Sequence, residues 1–102
     1  MISTIQLTIV PVAEKPLPEG AVPRWVGNVR RQFESAGLET DVHGLGMSVQ
    51  GEHQEVFQAL ANVLSSVHDS GVTRIWTSVV IESRSDQPLS LQQKTAVVGA
   101  SR

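Results

Sequence analysis

The sequence predicts an α+β fold in which a four-stranded antiparallel sheet carries two helices on one face. One observation behind this prediction is a repeated boundary, in which an amphipathic run ends at Gly37 before Leu38 and another ends at Gly71 before Val72. Glycine suits the left-handed position that closes a helix, and the apolar residues that follow suit a strand. A second observation is that apolar and polar residues alternate in the segment before the first amphipathic run and in the segment after the second. Together they predict two strand-helix-strand units in succession.

The composition indicates one globular domain over residues 1–102. Of the 102 residues, 40% are hydrophobic and 18% are charged, which is ordinary for a single core. A formal net charge of −2 offers no basic surface to a phosphate backbone, so we expect no nucleic-acid partner. The absence of cysteine excludes disulfides and thiolate sites and fits a cytoplasmic protein. The first residues lack a cationic start and an unbroken apolar run, so we expect no signal peptide and no membrane partner.

The first strand is predicted over residues 1–10 because its side chains alternate between two faces. We expect Pro11 to end this strand, since proline cannot donate a ladder hydrogen bond. Residues 11–23 contain four of the five prolines together with Gly20, which predicts a loop. The alternating sets are Ile5, Leu7 and Ile9 on one face and Gln6, Thr8 and Val10 on the other.

The first helix is predicted over residues 23–36, where Val26, Val29 and Phe33 recur at helical spacing. A hairpin is predicted next. Its strands are residues 38–42 and 47–50, and its turn at residues 43–46 contains two glycines.

The second helix is predicted to begin near Gly51, with Glu52 in its first turn, and to end at Gly71. The last long strand follows over residues 72–82. Ser90 is expected to cap a short C-terminal helix that runs to residue 98. The order β-α-β-β-α-β with a helical tail is the ferredoxin-like arrangement.

The face of the sheet that the helices leave uncovered is predicted to be partly apolar. Such a face carries more apolar surface than a solvated sheet usually does. We therefore expect a homo-oligomer, a dimer or a tetramer, formed through this face or through a sheet edge. Strand parity places Val10, Trp76 and Val80 on this face, beside Gln6, Thr8 and Ser78.

Four segments of the chain are residues 6–11, residues 46–51, residues 74–79 and the tail from residue 84 through Pro88 to Lys94. In order and spacing, they resemble the YkoF-like thiamine-binding family. The resemblance implies a small ferredoxin-like oligomer that binds thiamine or its hydroxymethylpyrimidine part without transforming it. The chain departs from the family pattern at Gln6 and Met47, where the family has Glu and Thr. We expect the loss of the carboxylate to weaken attraction for a thiazolium cation.

A flat aminopyrimidine needs an apolar or aromatic wall and a few hydrogen-bonding groups at its edge. Trp76 is the candidate wall, and its ring face also suits a thiazolium cation. An alternative is that Trp76 only packs in a subunit interface, although both interpretations can hold together. Trp25 is expected to pack at the core or its rim, with closure over a ligand as the alternative. The candidate polar groups of the ligand site are Gln6, Thr8, His43, Ser48, Gln50 and Ser78.

Other chemistry finds little support in the sequence. His53 and His68 are predicted on one helix, roughly 22 Å apart at 1.5 Å per residue, so they cannot share a metal ion. Cysteine, a Gly-x-Ser-x-Gly elbow and a phosphate-binding glycine loop are all absent from the sequence. We therefore expect no metal, no cofactor and no catalysis. Two alternatives stay open. One is an assembly or regulatory module whose uncovered face only mediates oligomerisation, and the other is an enzyme that uses His43 with Asp41 or with an acidic residue of a partner subunit.

Overall fold

The computed structural model describes residues 1–12, 21–44 and 46–86, with the side chains of residues 21–23 left aside. The four strands are β1 (Ile2–Val12), β2 (Glu39–His43), β3 (Gly46–Glu52) and β4 (Arg74–Arg84). They form one antiparallel sheet in the order β2-β3-β1-β4. The predicted ferredoxin-like arrangement is confirmed, whereas the helix expected at residues 90–98 lies outside the described residues. The helices are α1 (Ala21–Ser35), between β1 and β2, and α2 (His53–Asp69), between β3 and β4.

The core lies between the sheet and the helices, and its strand residues follow the predicted alternation. Ile5 and Leu7 of β1 and Val49 of β3 are buried on the side that faces the helices. They belong to one cluster with Phe33 of α1 and Val56 of α2. Burying each such side chain contributes about 1.5–3 kcal/mol to the free energy of unfolding. The helices are thereby fixed to one face, and we call the opposite face the open face.

Both helices end at a glycine in the left-handed region, as the sequence predicts. Gly37 follows α1 with a φ of 81°, and Gly71 follows α2 with a φ of 105°. Other residues adopt such angles only at a cost, because their Cβ crowds the backbone. These two positions therefore set where each helix turns into the next strand.

α2 begins at His53, two residues after the predicted start near Gly51. Glu52 is the N-cap residue and does not lie in the first turn. Its carboxylate accepts hydrogen bonds from the backbone N–H groups of Gln54 and Glu55, at 2.8 and 3.1 Å. A carboxylate at this position pairs with amides that a helix leaves without internal partners, which is why the helix begins after it.

Contrary to the prediction, β1 does not end at Pro11 but continues to Val12 while pairing with β4. Its pairing with β3 stops earlier, at Leu7. The Leu7 carbonyl points towards the start of β3, because a Cβ built on Gly46 would contact that oxygen. Alternate residues of a strand direct their backbone groups to the same side, so Ile9 and Pro11 also face the β3 side. Pro11 therefore removes no hydrogen bond from the ladder between β1 and β4.

The loop predicted for residues 11–23 is also shorter at its other end. α1 begins at Ala21, so Pro23 is its third residue. The first four N–H groups of a helix have no internal partner, so proline costs no helical hydrogen bond there. Residues 13–20 lie outside the described residues.

Candidate functional site

The residues predicted to bind a ligand all lie on the open face. The sheet register aligns them in rows that cross the strands, and the strand parity predicted for them is confirmed. Their part in ligand binding stays a prediction. In these rows Gln6 lies between Ser48 and Val80, Thr8 lies beside Ser78, and Val10 lies beside Trp76.

On the β2–β3 side of the open face, polar groups contact one another. The Nε2 atom of His43 lies 3.1 Å from the hydroxyl oxygen of Ser48, and which of the two donates depends on the imidazole tautomer. Asp41 lies opposite Ser48 in the register. Gln50, farther along β3, is only 6% exposed. His43 is thus oriented across the hairpin by Ser48, with the Asp41 carboxylate on the same face.

On the β4 side, the open face is apolar and exposed. The exposed fractions of Val10, Trp76 and Val80 are 50%, 64% and 66%. The guanidinium carbon of Arg74 lies over the Trp76 ring, 6.0 Å from its centroid. This contact places a positive charge over one face of the ring. Most of the Trp76 side chain stays exposed and available for packing.

A pocket of about 440 Å³ opens at the end of the sheet where β3 begins beside β1, and we call it the sheet-end pocket. It exists because β1 runs on to Val12, whereas the hairpin between β2 and β3 turns back at Gly46. The first turns of α1 lie against this gap. A volume of this size is within the range of small-molecule sites. Most of the side chains that line the pocket are apolar, among them Leu7, Ile9, Met47, Val26, Val29 and Trp25.

Two of the predicted residues, Thr8 and His43, also line the sheet-end pocket. Their strand positions place them on the open face, so the pocket connects that face with the space beneath α1. Trp76 is not among the lining residues; it lies on β4, across β1 from the pocket. The aromatic residue at the pocket is instead Trp25.

Trp25 is a half-buried side chain that packs against the core, in agreement with the core or rim position predicted for it. Its indole Nε1 is buried and has no hydrogen-bond partner among the described residues. A buried donor without a partner costs about 1–3 kcal/mol. The sequence does hold one signal for the place of Trp25 at the pocket. Trp25 lies one helical turn before Val29, on the apolar side of α1 that packs against the sheet. The missing information was the gap left by the short β3.

Charges are scarce at the sheet-end pocket. Among the described lining residues there is no Asp, Glu, Lys or Arg, and the titratable side chain there is that of His43. The side chains that can form hydrogen bonds there are the His43 imidazole and the Thr8 hydroxyl. Such a site suits a flat, mostly apolar ring with a polar edge.

Other titratable groups are engaged elsewhere in the fold. The side chain of Arg84, at the end of β4, donates two hydrogen bonds to Asp86, at 2.9 and 2.7 Å. These hydrogen bonds hold the pKa of the Asp86 carboxyl below its usual value. No group of three or more His, Asp or Glu side chains suited to a metal ion occurs in the part of the chain that is described. Nor does a helix in that part have the length and hydropathy needed to cross a membrane.

Comparison with known proteins gives a consistent result over most of the chain. A family model described as thiamine-binding protein matches residues 5–99. A UPF0045 protein of Synechocystis sp. is 31% identical over 91 residues, which are 88% of this chain and 75% of that protein. A UPF0045 protein of Eremothecium gossypii is 25% identical over 93 residues, or 89% of each chain.

Solved structures show the same fold. A hypothetical protein from Methanocaldococcus jannascii superposes with a TM-score of 0.78 at 20% identity and covers 96% of both chains. A Thermotoga maritima protein, described as a candidate thiamine biosynthesis or salvage protein, has a TM-score of 0.74 at 15% identity and covers 96% of this chain and 99% of its own. Identities this low show the fold alone.

Proposed function

The chain belongs to the thiamine-binding protein family, and on that premise we propose that it binds thiamine or its hydroxymethylpyrimidine part without transforming it. The description of the Thermotoga maritima protein as one of thiamine biosynthesis or salvage is in line with this proposal. The observation that carries it is the sheet-end pocket, which offers about 440 Å³ of mostly apolar space with Thr8 and His43 among its polar groups. An aminopyrimidine ring has the flat shape and polar edge that this lining suits.

The remainder of the ligand would extend from the pocket along the open face. Gln6, Ser48, Gln50 and Ser78 are the polar groups proposed to meet it there, and Trp76 is the proposed apolar contact farther along. The exposed apolar side chains beside Trp76 are the surface that a second copy of the chain would cover. The ligand would then be held near a subunit boundary.

The binding role requires no reaction at the site. A Ser–His pair does occur in the fold, where the Ser3 hydroxyl lies 2.7 Å from Nδ1 of His53. Ser3 is fully buried, so its hydroxyl cannot meet a substrate in this structure. His43 hydrogen-bonds to Ser48 at the pocket, where it can serve as a ligand contact.

Blocking the pocket tests the proposed function. Val42 lines the pocket and is 40% exposed, so Val42→Trp should fill the pocket while costing the fold little. Val12 is 39% exposed and is not among the lining residues, which makes Val12→Trp a matched control. We expect isothermal titration with thiamine and with hydroxymethylpyrimidine to show a loss of affinity of roughly tenfold or more for Val42→Trp, the equivalent of about 1.4 kcal/mol.

The control variant should bind like the wild type. Equal affinities for the two variants would place the ligand elsewhere. If the wild-type protein gave no heat with either compound, thiamine and its pyrimidine part would both be eliminated as ligands.

A second candidate function is a ligand-free assembly or regulatory module. The observation that favours it is the exposure of Val10, Trp76 and Val80 on the open face, away from the pocket. Under this hypothesis a variant of the open face changes the oligomeric state, while titration with pyrimidines is silent for the wild type.

A further inference from the structure

A second cavity, of about 510 Å³, lies between the two helices, and we call it the interhelical groove. Its floor is apolar, because Val29, Ala59 and Val67 line it and are at most 6% exposed. The rest of its described lining is mostly polar, unlike that of the sheet-end pocket. Six of these side chains carry an amide or a hydroxyl, which can both donate and accept hydrogen bonds: Asn28, Gln32, Ser35, Asn62, Ser66 and Ser70.

Hydrogen bonds between the lining side chains orient several of these groups. The Gln32 side-chain nitrogen, on α1, donates to the Ser66 hydroxyl, on α2, at 3.1 Å, and so links the two helices. The Arg31 guanidinium donates to the side-chain oxygen of Asn28. A guanidinium has five N–H donors, so this hydrogen bond leaves others for a ligand.

The charge in the interhelical groove favours an anion. Arg31 lines the groove, and the described lining residues include no Asp or Glu. Glu34, on the same helix, pairs with Arg30 at 2.7 Å. Glu55 lies seven residues before Asn62 on α2, about 10 Å along the helix at 1.5 Å per residue, so salt screens much of its charge at that distance.

Trp25 brings an aromatic surface and a hydrogen-bond donor to the groove. It lines the interhelical groove as well as the sheet-end pocket. Its buried Nε1 has no partner among the described residues. A buried N–H is stabilised when an acceptor reaches it, and a ligand rich in oxygen atoms can supply one.

We propose that the interhelical groove binds a small anionic sugar, that is, a sugar phosphate or a sugar acid. Arg31 contacts the anionic group, since a guanidinium donates paired N–H groups to phosphate or carboxylate oxygens. The amide and hydroxyl side chains meet the sugar hydroxyls, which also donate and accept. One ligand oxygen accepts from the Trp25 N–H. This site goes beyond the proposed binding of thiamine and does not depend on it.

Titration of the wild-type chain tests the proposal without any variant. Isothermal titration compares ribose 5-phosphate, glucuronate, ribose and inorganic phosphate. We expect at least one of the two anionic sugars to bind with a Kd below about 1 mM, and roughly tenfold or more tightly than ribose or inorganic phosphate. The tighter of the two identifies the anionic group. The proposal is wrong if neither anionic sugar binds, or if ribose or inorganic phosphate binds as tightly.

Two neighbouring arginines provide a matched pair of variants. Arg31→Gln removes the charge from the groove, whereas Arg30→Gln removes an equal charge from a residue of α1 that is not among the lining residues. Both positions are exposed, so both variants should fold, which circular dichroism checks. We expect Arg31→Gln to weaken binding of the anionic sugar roughly tenfold or more, and Arg30→Gln to change Kd by less than about threefold. Equal values of Kd for the two variants would overturn the proposal.

The indole N–H signal of Trp25 in proton–nitrogen NMR spectra adds a second readout. We expect it to move when the anionic sugar saturates the wild-type chain, because the N–H gains an acceptor. An unchanged signal in a sample that binds the sugar would place the sugar outside the groove. Thiamine and hydroxymethylpyrimidine are titrated separately, so this proposal and the proposed function succeed or fail independently.

Discussion

At the scale of single residues, the hydroxyl of Ser3 joins three elements at the end of the sheet farthest from the pocket. Its oxygen lies 2.7 Å from Nδ1 of His53, at the start of α2, and 2.9 Å from the hydroxyl of Ser83 in β4. Ser3 is fully buried. The two hydrogen bonds of the buried Ser3 hydroxyl take the place of those that it would form with water, and they also orient the His53 imidazole. Ser3 thus fixes the position of the α2 N-terminus on the sheet.

Ser3→Ala is predicted to lower the free energy of unfolding by about 0.5–1.5 kcal/mol, because it removes the hydrogen bonds that the buried Ser3 hydroxyl forms with His53 and Ser83. Urea denaturation followed by circular dichroism measures the change. Ser65→Ala, at an exposed position of α2, is the control and should leave stability nearly unchanged. Equal midpoints for the two variants would show that the Ser3 hydrogen bonds contribute nothing net.

The pairing of Ser3 with His53 also marks a limit of sequence reasoning. His53 could be placed on the second helix from periodicity, which was enough to exclude a shared metal with His68. Its partner lies fifty residues away along the chain, and helical spacing gives no distance between a strand and a helix end. Residue contacts of this kind depend on tertiary packing, which a single sequence does not reveal.

At the scale of elements, the hairpin between β2 and β3 determines the shape of the pocket. Gly46 has a φ of 138°, and a Cβ there would contact the Leu7 carbonyl oxygen and lie 2.8 Å from the Thr8 hydroxyl oxygen. A Cβ added to Gly44, in the same turn, would meet no neighbouring group within 4 Å. The close approach of the turn to β1 therefore depends on Gly46.

Gly46→Ala is predicted to lower the free energy of unfolding by about 1–3 kcal/mol, because it combines an unfavourable backbone angle with a contact against the backbone of β1. It should also weaken ligand binding, since Gly46, Leu7 and Thr8 all line the pocket. Gly44→Ala is the matched control, with a small effect on either property. Thermal unfolding and titration of both variants give the comparison, and similar losses for the two would contradict it.

The elements themselves were predictable to a large extent. Helix ends at Gly37 and Gly71 follow from local backbone preferences, which act without tertiary context. The continuation of β1 beyond Pro11 was not predictable. A strand tolerates proline where the proline nitrogen faces a side without a paired strand, and the sequence does not show which side that is. Here it is the side on which β3 pairing with β1 stops at Leu7, and the same early stop leaves room for the pocket.

At the scale of the whole molecule, the two faces of the sheet have different surroundings. The helices cover one face, and the open face exposes Val10, Trp76 and Val80. Alternation along the strands was sufficient to predict this division and the polar residues on the open face. It was not sufficient to find the pocket, since parity assigns residues to faces but does not show where a sheet is interrupted. Trp76 was accordingly favoured over Trp25 as the aromatic contact.

Trp76→Glu is predicted to reduce the oligomeric mass measured by size-exclusion chromatography with light scattering, because it places a carboxylate within the exposed apolar surface. Ile81→Glu is the control on the same strand, since Ile81 is 50% exposed but lies on the opposite face. It should leave the mass unchanged in samples that circular dichroism shows to be folded. A native mass for Trp76→Glu would remove the open face as the contact between copies.

The position of Pro11 also bears on aggregation. Beyond Leu7, one edge of β1 is open among the described residues, and an open edge is a template on which strands of foreign chains can accrete. Pro11 has no N–H, so it breaks the row of donors along this edge. A strand from another chain therefore cannot form an uninterrupted ladder with this end of β1.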